Sequence, residues 1–220
     1  MAMLELGDEV VTLLSVVALI YGFCKMISRK LPLYFQLSMA AVACLLLGYI
    51  FDICDYMIHG VHDDEYLIGY LGSIGSVLFL LTASVGYMDG IMDDRSPQMK
   101  KSRWLALIAP VLVIALWIPN MFADVPAATK FIYSVVWIPS AFSAYFNLKH
   151  AIIPDMGFGF VKAIRPFNLA ALSFNLLQLI HLTVWNFCDW IPLLISGTAF
   201  GLSAVVMIVM ADKGVKRWTL

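Results

Sequence analysis

The amino-acid sequence predicts an all-α membrane protein, a bundle of seven transmembrane helices with the N-terminus outside the cell and the C-terminus in the cytoplasm. Three observations predict it. Of the 220 residues, 62% are hydrophobic and only 13% are charged, whereas a soluble domain usually carries about 25% charged residues. The apolar residues form seven long runs, and Lys and Arg are concentrated after every second run.

The seven apolar runs define the predicted spans of a single domain, residues 1–220. Each run can cross about 30 Å of hydrocarbon as a helix, and a helix satisfies its own backbone hydrogen bonds, which an open strand in lipid cannot do. Transmembrane strands would be about 10 residues long and would alternate polar and apolar residues. The predicted spans are 10–27, 32–56, 67–91, 104–122, 131–148, 167–189 and 192–211.

The basic residues set the predicted orientation, because loops rich in Lys and Arg stay on the cytoplasmic side. All Lys and Arg residues except Lys130 lie at the end of the first span or in the segments that follow the first, third, fifth and seventh spans. The loops on the opposite side carry acidic residues, which are Asp63, Asp64, Glu65 and Asp124. The N-terminus begins acidic and its basic cluster follows the apolar run, the reverse of a signal peptide. We therefore expect a retained first helix and a multi-pass protein of the cell membrane.

Several function classes are excluded by composition and motifs. A net charge of −1 gives no nucleic-acid footprint. The catalytic motifs of zinc proteases, α/β-hydrolases, P-loop enzymes and dinucleotide enzymes do not occur, so we predict no enzyme and no catalytic residue. A retinal protein needs a lysine in its last span, and 192–211 contains none. His181 has no second intramembrane histidine with which to bind haem, so no cofactor or metal is predicted.

Polar residues within the spans are the candidate site residues, because a polar group in hydrocarbon needs a partner. The helical period places five residues of the sixth span on one face: Asn175, Gln178, His181, Trp185 and Asp189. This stripe can hold the bundle together through interhelical hydrogen bonds, or it can line a ligand site or a solute path. The second span ends with Asp52 and Asp55, on neighbouring faces of one turn. They form a solvated rim, or they bind a cation or basic group, or they titrate with external pH.

Smaller signals concern packing. Gly69, Gly72 and Gly75 in the third span indicate close approach of helix backbones. Trp-Ile-Pro occurs at 117–119, 137–139 and 190–192, which fits interfacial Trp and helix-kinking Pro, or an aromatic-walled cavity that opens outward. Cys54 and Cys188 both lie near outer helix ends, and the sequence leaves open whether they form a disulfide, because it does not fix their Cα separation.

The stretch 48–91, GYIFDICDYMIHGVHDDEYLIGYLGSIGSVLFLLTASVGYMDGI, resembles the N-terminal seven-helix sensor module of bacterial histidine kinases and diguanylate cyclases. That family has an acidic residue near the outer end of its second helix, here Asp52 or Asp55. A short loop and an aromatic-Leu-Gly entry into the third helix follow, here Tyr70, Leu71 and Gly72. The family shares the predicted number of helices and the predicted orientation.

The resemblance implies a receptor that senses an external or membrane-borne small molecule and relays it inward. On this hypothesis the ligand contacts Asp52, Asp55, Tyr70, Gln178, His181, Trp185 and Asp189. Family members continue into a signalling domain after the seventh helix. This chain is therefore the membrane module of a longer protein, or acts alone, or signals through a cytoplasmic partner. A kinase or cyclase output would favour a dimer.

Two other interpretations remain open. The first is a small transporter of two three-helix repeats and a linker helix, although the first and last three spans share no clear motif. The second is a membrane scaffold whose polar stripes only hold helices together.

Overall fold

A computed structural model of the chain describes residues 6–59, 68–89, 93, 96–155 and 159–218, with the side chains at 86–88, 98, 160 and 215–218 excepted. Within these residues every regular element is helical, which confirms the all-α prediction. Besides the α-helices, the described residues form a π-helical turn, Ala83–Met88, and a short 3-10 turn, Pro97–Met99. The helices are α1 (Leu6–Ser28), α2 (Leu33–His59), α3 (Gly69–Thr82), α4 (Lys100–Ala106), α5 (Ile108–Met121), α6 (Ala127–Ile152), α7 (Phe160–Phe187) and α8 (Trp190–Trp218).

Six helical segments of the described chain are long and apolar enough to cross a membrane, namely α1, α2, the joined α4 and α5, α6, α7 and α8. The third predicted span, 67–91, contains α3 and the π-helical turn that continues it to Met88, and its apolar helical part, Gly69–Val85, is shorter than the other six segments. The remainder of that span, residues 67 and 90–91, lies outside the described residues, as do Asp63, Asp64 and Glu65, on which the orientation partly depends.

The predicted boundary between the sixth and seventh spans is wrong. Helix α7 ends at Phe187, and Cys188 has extended backbone angles (φ −125°, ψ 160°). Asp189 therefore lies in the short connection and not on the polar stripe. Helix α8 begins at Trp190, so Pro192 stands in its first turn, where its missing N–H leaves no helical hydrogen bond unmade. Helix α8 also continues to Trp218, beyond the predicted end at residue 211.

Six helices form a ring in which α1 packs on α2, α2 on α3, α3 on α6, α6 on α7, α7 on α8 and α8 on α1. Helix α5 packs outside this ring against α6 and α7. Consecutive spans alternate in direction. We call the end where α1 begins the entry end, and the end where α8 stops the exit end. Helices α2, α5 and α7 stop at the entry end, whereas α1, α3 and α6 stop at the exit end.

Large apolar side chains cover the outside of the bundle, and the interior contains polar as well as apolar side chains. Large apolar residues on the outside include Ile27, 86% exposed, and Leu47, 66% exposed. The interior contains Asn147, Asn168 and Asn175, each 0% exposed. A soluble protein shows the opposite distribution of polar groups. The arrangement is compatible with a helical bundle whose outer surface is solvated by lipid.

Helices α2 and α3 cross with their backbones in contact. A Cβ atom added at Gly72 would lie 2.6 Å from the Cys44 carbonyl oxygen and 2.7 Å from the Gly48 Cα. A Cβ atom at Gly69 would overlap the carboxylate of Asp52. The predicted close approach of helix backbones is confirmed at Gly69 and Gly72, whereas Gly75 faces only the Cys44 side chain. The four cysteines are free, so Cys54 and Cys188 do not form a disulfide in this structure.

Candidate functional site: the entry-end cavity

A cavity of about 160 Å³ lies at the entry end, between α1, α2, α3, α6 and α7. A second cavity, of about 210 Å³, adjoins it, since Asp8, Tyr49 and Asp52 line both. Each wall comes from a helix end, and the alternating direction of the helices brings these ends together. The cavity is formed where α1, α3 and α6 begin and where α2 and α7 end, although these helices are distant from one another in the sequence.

Five of the seven predicted site residues line the first cavity, and these are Asp52, Asp55, Tyr70, His181 and Trp185. The other two do not. Gln178 is one turn from His181 on the buried face of α7 and is 1% exposed. Asp189 is exposed, because α7 ends before it.

His181 joins three helices. Its Nε2 lies 2.9 Å from Asp8 Oδ1 of α1, and its Nδ1 lies 2.9 Å from Ser196 Oγ of α8. The carboxylate has no proton to donate when ionised, so the ring donates Nε2–H to Asp8. The sequence predicts that His181 either forms hydrogen bonds or contacts a ligand. In the structure its ring forms hydrogen bonds and also lines the cavity.

Asp52 differs from the other two carboxylates of the cavity. Asp8 is bonded to His181, and Asp55 accepts a hydrogen bond from His59 Nδ1 at 2.9 Å. The carboxylate of Asp52 packs against Gly69 and makes none of the hydrogen bonds found among the described residues. One carboxylate of the site therefore retains its capacity to bind a donor.

A chain of hydrogen bonds extends from the cavity wall toward α5. The hydroxyls of Tyr70 and Tyr133 lie 3.4 Å apart, and Tyr133 donates to Asn186 Oδ1 at 3.0 Å. Since Tyr133 donates there, it can accept from Tyr70. Asn186 donates to Asn120 Oδ1 at 2.7 Å, and Asn120 donates to Thr183 at 2.9 Å. The chain holds α3, α5, α6 and α7 in one arrangement around the cavity.

Some buried polar atoms at or near the site have no partner among the described residues. Thr129, 5% exposed, lines the cavity, and its hydroxyl accepts and donates no hydrogen bond. Both polar atoms of the Gln178 side chain are also unpartnered. Buried polar groups are normally satisfied, so these atoms indicate places where a polar molecule would be stabilised.

Sequence reasoning missed several residues of the site, which are Asp8, Tyr49, Thr129, Tyr133 and Asn186. Asp8 has the appearance of a solvated residue before the first span. The sequence offered one indication that Asp8 belongs to the site. The single intramembrane histidine, His181, needs an acidic or hydroxyl partner from another helix. Tyr49, Thr129 and Tyr133 could not be recognised as site residues, because Tyr and Thr are also ordinary residues of transmembrane helices.

The exit end contains two ionic clusters. Lys149, 3% exposed, bonds to Asp89 and also to Asp93 Oδ2 at 3.2 Å, and His150 Nε2 lies 3.0 Å from Asp89 Oδ1. In the second cluster, Arg29 pairs with the buried Asp212 of α8. Tyr21 of α1 donates to Asp212 Oδ2 at 3.0 Å. These clusters fix α1 to α8 and α3 to α6 at the end opposite the cavity.

No family model matches the chain, and neither a curated protein nor a solved structure matches it.

Proposed function

We propose that this chain is the seven-helix membrane module of a receptor. It binds a small molecule in the entry-end cavity, which faces outside, and relays a helix rearrangement to a cytoplasmic effector. The observation that supports this proposal most is the cavity itself, a polar and aromatic site assembled from five elements, with one carboxylate that has no partner among the described residues. A scaffold would have no need of such a space.

The membrane location and the orientation are supported by the surface of the bundle. Its lipid-facing sides would be the exposed apolar residues, such as Ile27 and Leu47. The described Lys and Arg residues, apart from Lys130, lie at the exit end. Because basic loops stay in the cytoplasm, the exit end would face inward and the cavity outward.

Helix α8 supplies a path between the two ends. Its Ser196 bonds to His181 at the cavity, and its Asp212 bonds to Arg29 and Tyr21 at the exit end. The two residues are about 24 Å apart along a helix with 1.5 Å rise per residue. A ligand that shifts His181 would thus act on a rigid element whose other end is held by an ion pair. To transmit a signal, the ligand must favour one of two helix arrangements.

Cysteine labelling tests the orientation and access to the cavity. In a chain whose native cysteines are replaced, Ser73→Cys places a thiol on the cavity wall, and Ser28→Cys places one on the exposed exit end. In intact cells, a membrane-impermeant maleimide should label the first variant and label the second only after permeabilisation. Labelling of Ser28→Cys in intact cells would show that the orientation is reversed.

The same variants test binding and relay. Cationic, neutral and anionic small molecules are screened for their ability to protect Ser73→Cys from maleimide labelling. Each protecting compound is then added to the Ser28→Cys variant, whose thiol carries an environment-sensitive fluorophore. A receptor should show protection at the cavity together with a fluorescence change at the exit end. Uptake of the compound into liposomes would identify a carrier, and absence of any protection would count against both.

A further inference from the structure

We infer that the ligand of the entry-end cavity is a small organic ammonium ion, which Asp52 binds beside the aromatic side chains of Tyr49, Tyr70 and Trp185. The inference rests on the proposed function, because it names the chemical class of the ligand for that receptor. Four independent features of the cavity support it: its charge, an unpartnered hydroxyl, its aromatic walls and its size.

The charge of the cavity favours a cation. Three carboxylates line it, and among the described lining residues there is no Lys or Arg. Asp8 and Asp55 already bond to histidines, whereas Asp52 makes no hydrogen bond among the described residues. A carboxylate removed from water is costly unless a counter-ion or hydrogen-bond donor accompanies it. A ligand cation would provide the counter-ion that Asp52 lacks among the described residues.

The hydroxyl of Thr129 is a second and separate indication of a ligand. It is buried on the α6 wall of the cavity and has no hydrogen-bond partner within the described chain. A primary ammonium group carries three N–H donors. One donor can bind the Asp52 carboxylate, and the others remain for further acceptors of the cavity, such as the Thr129 hydroxyl.

The walls favour an organic cation over a metal ion. Aromatic rings attract cations through their negative faces, and the cavity is lined by the rings of Tyr49, Tyr70, Tyr133 and Trp185. Among the described residues, no group of three or more His, Cys, Asp or Glu side chains is placed to hold a metal ion.

The size of the cavity limits the size of the ligand. Its volume of about 160 Å³ is close to the roughly 150 Å³ of an engineered cavity that binds benzene. An amine with one ring or a short chain would fit.

The test uses three probes with the same ring and different head groups. The full chain, in lipid nanodiscs, is titrated calorimetrically with 2-phenylethylammonium, 2-phenylethanol and 3-phenylpropanoate. The ammonium probe should bind at least about tenfold more tightly than either of the others. Asp52→Asn should remove this preference, whereas Asp189→Asn, which neutralises an exposed carboxylate outside the cavity, should leave it unchanged.

A second pair of variants keeps the test decisive if Asp52→Asn does not fold, as judged by gel filtration and thermal melting. Thr129→Val should weaken ammonium binding severalfold, and Thr129→Ser, which keeps the hydroxyl, should preserve it. Equal affinity for all three probes, or full ammonium affinity in both Asp52→Asn and Thr129→Val, would overturn the inference.

Failure of the inference can be told apart from failure of the receptor proposal. If the alcohol or the carboxylate protects Ser73→Cys and the ammonium ion does not, the ligand class is wrong and the receptor proposal stands. If no probe binds and Ser73→Cys cannot be labelled from outside, both are wrong.

Discussion

The crossing of α2 and α3 gives the sharpest test of the packing, through Gly72→Ala. The nearest atoms to the new methyl group would be the Cys44 carbonyl oxygen at 2.6 Å, the Gly48 Cα at 2.7 Å and the Gly48 nitrogen at 2.8 Å. All three belong to the backbone of α2. No side chain can rotate away to relieve these contacts, so the two helices must separate.

The magnitude follows from two opposing terms. Overpacking a tight contact costs about 1–3 kcal/mol, and a rigid backbone contact should lie near the upper value. Replacing Gly by Ala within a helix gains about 1 kcal/mol. We therefore expect Gly72→Ala to lower the free energy of unfolding by about 2 kcal/mol.

Gly75→Ala is the matched control, one turn further along α3. Its Cβ atom would meet only the Cys44 side chain, with Sγ at 3.2 Å and Cβ at 3.3 Å. A small side-chain shift relieves that contact, so the helix-propensity gain should offset it and the stability should change by less than about 1 kcal/mol. Both variants are measured by SDS titration in mixed micelles, followed by circular dichroism. Equal midpoints for the two variants would refute the backbone-contact argument.

Three further predictions concern polar groups. Lys149→Met removes the lysine while Arg103 still pairs with Asp93 and His150 with Asp89, and should lower the free energy of unfolding by about 1.5–3 kcal/mol in the same titration. Gly69→Ala displaces the carboxylate of Asp52, and should weaken calorimetric binding of 2-phenylethylammonium by about tenfold. Asp8→Asn and His181→Gln each change one partner of the hydrogen bond between these residues, so a double-mutant cycle should give a coupling energy of about 1 kcal/mol.

Each of these has its own control. Lys162→Met removes an exposed lysine of α7 and should change the stability by less than about 0.5 kcal/mol. A loss as large as that of Lys149→Met would indicate a general effect of charge. Gly75→Ala should retain full ammonium affinity, and equal weakening in Gly69→Ala and Gly75→Ala would mean that a general disturbance of α3, not displacement of Asp52, reduces binding. Additive effects of Asp8→Asn and His181→Gln would contradict their direct contact.

The helices could be predicted from the sequence because long apolar runs leave few alternatives. Their ends could not always be predicted. Nothing in Phe187–Cys188–Asp189 marks a break, since neither Gly nor Pro occurs there, and the end of α7 depends on the turn that leads into α8. No residue of the third span predicts the change to a π-helical turn at Ala83.

The candidate site could be predicted where one helix reveals it. His181 and Trp185 stand out in α7 as polar and aromatic residues on one face, and Asp52 stands out in α2. Gln178 shares that face but lies deeper, and the depth of the cavity is set by how other helices pack against α7. Asp8 could not be distinguished from Glu9 beside it, because only the fold places Asp8 against His181.

The position of Asn120 has a consequence for biogenesis. This residue lies in α5, outside the helix ring, yet it is 0% exposed, because it bonds to Thr183 and Asn186, which come 63 and 66 residues later in the chain. At about 5–20 residues per second, a ribosome takes roughly 3–13 seconds to supply them. In the proposed topology α5 enters the membrane before its partners exist, with the Asn120 amide bonded only to its own helix at the Leu116 carbonyl oxygen. The high hydropathy of this segment would keep it inserted until α7 arrives.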